Sequence, residues 1–188
     1  MILAYKELGV RYREAARFNE AIGCHREGLR LAMQRKDTSE VIQALNNIGT
    51  NFRRLGIMDE ASNYHYRALS LCERLGDKES YKARKNRTIS LSGIGNVYLT
   101  LENCEMADSI FRIALEEERT LDSDLGLAMN YANLGSIFEM RGMMDSAFVY
   151  YNYSMEHNRA AGSVVGISLC HNHIGCLLYT SPSPRDTR

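Results

Sequence analysis

Leu45, Ile48 and Phe52 fall at i, i+3 and i+7, which is one apolar stripe of an amphipathic helix. Gly56 follows, and its lack of a Cβ permits the left-handed residue that ends such a helix. A second stripe then runs through Ala61, His65, Ala68, Leu69 and Cys72. Asp59 and Glu60 stand in the first turn of that second helix, where the helix dipole favours acids. The pattern predicts two antiparallel helices, A and B, with Gly49 and Ala61 kept small where they approach.

The pair recurs along the chain. One copy reads Tyr5, Leu8, Gly9, Tyr12, Ala21, His25, Gly28 and Leu29. Another reads Leu91, Ile94, Gly95, Tyr98, Ala107, Phe111, Ala114 and Leu115. A further copy reads Tyr131, Leu134, Gly135, Phe138, Gly142, Ala147, Tyr151, Ser154 and Met155, and His171, Ile174 and Gly175 open a fifth. Gly9, Gly49, Gly95, Gly135 and Gly175 each follow Leu or Ile, at intervals of 40, 46, 40 and 40 residues. A period of that size marks a stacked array of helix pairs, in which each pair buries its apolar face against its neighbours. The six additional residues between Gly49 and Gly95 fall in the Gly- and Pro-free stretch KESYKARKNRTIS. They are read as about one and a half extra turns on helix A of the third unit.

The motif of Leu-Gly, an aromatic three residues on, then Ala, aromatic and Ala resembles the tetratricopeptide repeat (TPR) family over residues 2–175. The departures are Ala16 and Glu102 in place of the inter-helix Gly, His25 and His65 in place of the helix-B aromatic, and the absence of a closing Pro in every unit. The resemblance implies an all-α fold: a right-handed α-solenoid of antiparallel helix pairs, four complete TPR units plus the first helix of a fifth. The units are drawn at about 2–37, 40–77, 80–122 and 126–162, with 165–175 partial. The 40-residue unit is similar to those of bacterial regulatory TPR proteins and of Leu-Gly-Asn-type polarity scaffolds.

Residues 176–188 break the pattern. Pro182 and Pro184 are the only prolines of the chain, and the Pro-Ser-Pro run is expected to end helix A of the fifth unit early. This tail resembles a translated sequencing adapter. It is read as non-native or disordered, the natural protein continuing past about Gly175. An A helix without its B partner then exposes an apolar face, so self-association through the uncapped C-terminal end is expected.

Composition removes several classes of function. A formal net charge of zero gives no pull toward nucleic acid. No apolar run reaches the roughly 18–20 residues of a membrane span, and MILAYKELGV runs straight into the first unit rather than reading as a signal peptide. The five cysteines form no CxxC pair and fit buried thiols, which favours a reducing cytoplasm, or a periplasmic site if a leader is missing. No GxGxxG, Walker loop, HExxH or nucleophile elbow occurs, so no cofactor, metal or enzyme activity is expected. His25 and His65 take slots filled elsewhere by Phe111 and Tyr151, and are read as packing residues rather than metal ligands.

In the family, certain helix-A positions line a concave groove. Carried over by position, the peptide-binding candidates are Lys6 and Arg13, then Asn46, Asn47, Thr50, Arg53 and Arg54, then Asn96, and finally Met129 and Glu139. Lys6, Arg13, Arg53 and Arg54 suit carboxylates, each charge-assisted contact contributing about 1.5–3 kcal/mol. Asn46, Asn47 and Asn96 suit a peptide backbone. Lys78, Lys82, Arg84, Lys85 and Arg87 are read as a solvated helix surface in preference to an anionic docking site. The chaperone-tail clamp of some TPR proteins is incomplete here, because Val10 follows Lys6 where an Asn is needed.

The resemblance therefore implies a protein- or peptide-binding scaffold. The expected setting is the sensor or interaction region of a bacterial signalling protein with a histidine kinase or transcriptional-regulator output. The alternatives are a self-contained peptide-responsive regulator or adaptor, and an accessory region of a larger enzyme.

Overall fold

The computed structural model describes residues 1–75 and 80–180. The described residues form α1 (Ile2–Glu14), α2 (Phe18–Gln34), α3 (Thr38–Arg54), α4 (Met58–Glu73), α5 (Tyr81–Thr100), α6 (Cys104–Thr120), α7 (Asp124–Met140), α8 (Met144–Ala160) and α9 (Val164–Thr180). The odd-numbered helices are the A helices of the sequence pattern and the even-numbered ones the B helices. Two compact units divide the chain, Met1–Asn103 and Cys104–Arg188. Within the first, α1 packs on α2, α2 on α3, α3 on α4 and α4 on α5, with α3 also against α5. Within the second, α6 packs on α7, α7 on α8 and α8 on α9.

Turn chemistry sets the repeat. A residue with positive φ closes α1, α3, α5 and α7: Ala16 (56°), Gly56 (79°), Glu102 (58°) and Gly142 (72°). Lys36, Asp122 and Gly162 do the same after B helices. The two kinds of helix start differently. The A helices α3, α5, α7 and α9 are capped by side chains, Asp37 accepting from the Glu40 amide, Ser80 from Ala83, Ser123 from Gly126 and Ser163 from Gly166, while α1 begins at Met1 without one. The B helices α2, α4 and α8 begin at Arg17, Ile57 and Met143 with no side-chain cap. Their register therefore comes from packing rather than from a local cap.

The core of the first unit gathers Ile42, Leu45, Ala68 and Cys72, flanked by Leu29, Val41, Tyr64, Leu71 and Leu75. Phe52 stacks on Tyr64 at 5.5 Å. The recurrent A-helix glycines seat rings from the following B helix: a Cβ built at Gly9 would meet His25, at Gly49 His65, and at Gly135 Tyr151. These three positions are small because a ring occupies the space of the missing side chain.

Two expectations about helix length change. The six-residue insertion does not lengthen α5 by one and a half turns: α5 has 20 residues against 17 in α3 and α7. The remainder falls in the connection before Ser80, whose residues 76–79, Lys78 among them, lie outside the described residues. Nor is the fifth A helix short. α9 has 17 residues, as α3 and α7 do, and carries residues 176–180 of the expected tail. Thr, Tyr and Leu are all compatible with a continuing helix, so the pattern break at Cys176 does not stop it. Pro182, Pro184 and the rest of the adapter-like stretch lie outside the described residues.

Candidate functional site

In the first unit, α1, α3 and α5 each contribute one face to a cavity of about 370 Å³. Lys6, Gln43, Asn46 and Asn47 form one part of its lining. Lys82, Lys85 and Asn86, with Tyr81 and Ile89, supply the rest. Three lysines thus converge on a rim of carboxamides, with a ring and an aliphatic side chain beside them. The cavity falls within the roughly 300–1,000 Å³ range of ligand sites. Lys82 and Lys85, expected to be mere helix surface, come into the site because the extended N-terminal part of α5 carries them over α3. Nothing in their helical spacing shows this. It follows from where α5 starts.

Cross-helix hydrogen bonds fix the first part of the lining. Lys6 Nζ donates to Gln43 Oε1, and Arg13 donates to Asn47 Oδ1 at 3.1 Å, which ties α1 to α3. Arg53 reaches α5, donating to Thr100 Oγ1 at 3.3 Å. Arg54 is exposed. These cations act on one another and on their surroundings. Burial first, and then the charge of Arg54, pulls the Arg53 guanidinium below its ordinary value. Arg13 is lowered by burial too, with Glu14 opposing and Arg54 assisting. Burial, with Arg13 and Lys6 nearby, holds His25 at about 4, and burial with Arg53 nearby holds His65 at about 4. Lys6 and Arg13 thus bear on His25, Arg53 bears on His65, and Arg54 bears on both Arg13 and Arg53.

The predicted amides behave differently. Asn46 is buried and spent inside the unit: its Oδ1 accepts from His65 Nδ1 at 3.0 Å and its Nδ2 donates to Ser90 Oγ at 2.9 Å. Ser90 donates in turn to the Asn86 carbonyl, and Asn86 Nδ2 to Ser39 Oγ. This polar chain stitches α3, α4 and α5 together, and Asn46 only edges the cavity. Its position faces the neighbouring A helix, a contact that counting along one helix does not reveal. The acceptor on Nδ1 also fixes the His65 tautomer, leaving Nε2 buried with no hydrogen-bond partner. Asn96 donates to the Ser92 carbonyl of its own helix at 2.8 Å, and Thr50 to the Asn46 carbonyl at 2.9 Å. Both are half-buried. Asn47, half-buried on the cavity wall, is the amide best placed toward a ligand.

The second unit holds the remaining predicted residues. Met129 is 54% exposed on α7. Glu139 accepts a 2.6 Å hydrogen bond from Tyr151, whose hydroxyl also meets Ser136 at 3.1 Å. That hydroxyl is pushed well above the ordinary tyrosine range by burial and by the Glu139 carboxylate. Glu139 is thus a structural acceptor as much as a surface acid. Among the described residues, no group of three or more His, Cys, Asp or Glu side chains is placed to hold a metal ion, and no helix is long and apolar enough to cross a membrane.

No curated protein matches the chain. Solved structures do. Aspartyl phosphate phosphatase F from Bacillus subtilis superposes with a TM-score of 0.77 at 18% identity, covering 95% of this chain and 45% of that one. A Rap protein complexed with competence and sporulation factor gives 0.72 at 20% identity, covering 92% and 48%. A Podosopora anserina protein of nearly identical TPR-like repeats gives 0.66 at 10% identity, covering 95% and 85%. The chain thus spans about half the length of the first two. A family model for the tetratricopeptide repeat matches residues 41–75, which take in most of α3 and all of α4. One tetratricopeptide repeat is thus matched directly at residues 41–75, and the chain as a whole shares the helical-repeat fold of these structures.

Proposed function

We propose that this protein binds an acidic peptide segment on the face formed by α1, α3 and α5. One observation carries the reading: Lys6, Lys82 and Lys85 surround a ligand-sized cavity edged by Gln43, Asn47 and Asn86. Cations supply affinity for carboxylates, while the amides can pair with a peptide backbone in either sense. Tyr81 and Ile89 offer an apolar seat for one side chain. Arg13, Arg53 and Arg54 extend the positive region beyond the cavity. A Rap protein of similar fold, solved with competence and sporulation factor bound, supports a ligand-responsive regulator.

In this reading the array is a non-catalytic interaction region of a bacterial signalling protein, and it reports ligand binding to an output elsewhere. A self-contained regulator is the same chemistry without that output. The cytoplasm suits Cys24, Cys72, Cys104 and Cys170, which are free thiols.

Fluorescence anisotropy with labelled acidic, neutral and basic peptides of matched length tests the site. The acidic probe should bind best, and should weaken as salt rises. Lys6→Glu combined with Lys82→Glu should weaken it by about a hundredfold, the equivalent of two charge-assisted contacts. Unchanged affinity in that variant, with unchanged circular dichroism, would remove the cavity from consideration.

A further inference from the structure

The second unit carries another cleft that shares no residue with the predicted groove. It lies among α6, α7 and α8, has a volume of about 450 Å³, and is walled by Tyr131, Tyr150 and Tyr153 on one side. Arg112, Glu116 and Arg119 line the other. The three tyrosine rings form a contiguous cluster, inclined to one another by 42°, 50° and 89°. Tyr131 and Tyr153 are 5.3 Å apart, while Tyr150 lies 6.2 Å from each of them. The cluster is held from behind, Phe138 stacking on Tyr150 at 4.9 Å and His157 on Tyr131 at 5.5 Å. Tyr153 is 45% exposed although it belongs to this stack.

The charges in the cleft cancel. Arg112 binds Asp108 through two hydrogen bonds of 2.9 and 3.2 Å, and Arg119 binds Glu116 at 2.6 Å. What remains is a surface of donors beside aromatic faces. Arg119 also donates to the Tyr131 hydroxyl at 3.0 Å, and Arg112 hydrogen-bonds Tyr150, so the hydroxyls are oriented by guanidinium groups. A phosphate or carboxylate gains little where each cation already has its counter-ion. A β-strand is also a poorer match, since it brings an amide proton for every carbonyl while Glu116 is the one acid in the lining. The matching ligand presents flat apolar rings and unpaired carbonyls, and brings few N–H groups. A polyproline II segment has that chemistry, and it loses little conformational entropy on binding because the helix is already formed.

We infer that the cleft among α6, α7 and α8 is a docking site for a proline-rich segment of a partner protein. Proline rings stack on Tyr150 and Tyr153, while the segment's carbonyls accept hydrogen bonds from the tyrosine hydroxyls and the free guanidinium N–H groups of Arg112 and Arg119. The cleft works independently of the cavity on α1, α3 and α5, so either can fail alone.

The test is a nuclear magnetic resonance titration of the full chain, labelled on its tyrosine rings. The probes are decaproline, a Gly/Ser peptide of equal length and inorganic phosphate. Decaproline should move the Tyr131, Tyr150 and Tyr153 signals saturably and leave Tyr64 unmoved. Tyr153→Ala, at a half-exposed position where the fold tolerates truncation, should weaken that binding at least about fivefold, as loss of an aromatic anchor does. Three results would overturn the inference: no shift at millimolar decaproline, equal shifts from the Gly/Ser peptide, or a response to phosphate alone.

Discussion

Gly93→Ala probes the tightest contact of the first unit. A Cβ at Gly93 would land on the His65 ring, inside contact distance of Nδ1 and Cε1 and 2.8 Å from Cγ. The ring cannot retreat. Its opposite edge faces Gly49, where an added Cβ would stand 2.9 Å from both Cδ2 and Nε2. His65 is therefore wedged between α3 and α5, and the new methyl must drive α5 away from α4. Overpacking of this kind costs about 1–3 kcal/mol, and displacing the ring from Asn46 removes a buried hydrogen bond of about 1 kcal/mol. Alanine's better helix propensity returns about 1 kcal/mol. The net expectation is a loss of about 2 kcal/mol. His65→Ala alone should cost about 3 kcal/mol through its cavity. In that background Gly93→Ala meets open space, and its sign should reverse to a gain of up to about 1 kcal/mol. Urea unfolding of the four proteins, followed by circular dichroism, gives the coupling, expected at about 3 kcal/mol. If Gly93→Ala costs the same in both backgrounds, or never destabilises, the wedge is not what holds α5.

Four further outcomes follow from the same structure. His25 and His65 are held neutral at about 4, below the unfolded value of about 6.5, so the unfolded chain takes up more protons between those limits. Stability should be complete above about pH 6.5 and fall toward pH 4, by up to about 3 kcal/mol per ring. A His25→Phe, His65→Phe variant should lose less across this window, and equal losses in urea titrations would contradict the assignment. Ala16 and Glu102 sit at φ of 56° and 58°, so Ala16→Gly and Glu102→Gly should each raise the unfolding free energy by about 1 kcal/mol, read as a higher urea midpoint. Tyr151→Phe deletes the hydroxyl that donates to Glu139, and should lower stability by about 1–2 kcal/mol in thermal unfolding. Ile94 sits on α5, which packs against α3 and α4, whereas α9 leans mainly on α8. Hydrogen exchange should therefore be faster at Ile174 than at Ile94, and equal protection would argue against that difference.

The helix-A register named Lys6, Arg13, Arg53 and Arg54 as groove candidates, and in the fold the first three are half-buried on α1 and α3 while Arg54 is exposed. It did not separate groove from interface. Asn46 and Asn47 are neighbours in sequence, yet the first is consumed by His65 and Ser90 while the second lines the cavity. The difference lies in which side of α3 meets α5, a long-range fact. Lys82 and Lys85 were set aside as surface for the converse reason, since only the placement of α5 brings them over Lys6. The tyrosine cluster was equally out of view. The sequence pattern marks Tyr131 only as a repeat position and singles out neither Tyr150 nor Tyr153, and their convergence on Arg112 and Arg119 needs α6 and α8 both packed against α7. A signal for the A-helix caps was available, because Asp37, Ser80, Ser123 and Ser163 each stand just before an apolar stripe.

What the sequence determined by itself was local and periodic: helix pairs, the small residues at their crossings, the turns, and the repeat that makes the chain a stacked array. These follow from the 3.6-residue helical period and from backbone sterics, which neighbouring residues specify. The tertiary structure decided which polar groups are consumed within the array and which remain for a ligand. That depends on contacts between helices tens of residues apart, where burial forces each polar atom to find a partner. His65 shows the division most clearly. Its slot in the repeat was visible in the chain, but the glycines on both sides and the polar chain through Asn46 exist only once α3, α4 and α5 are packed.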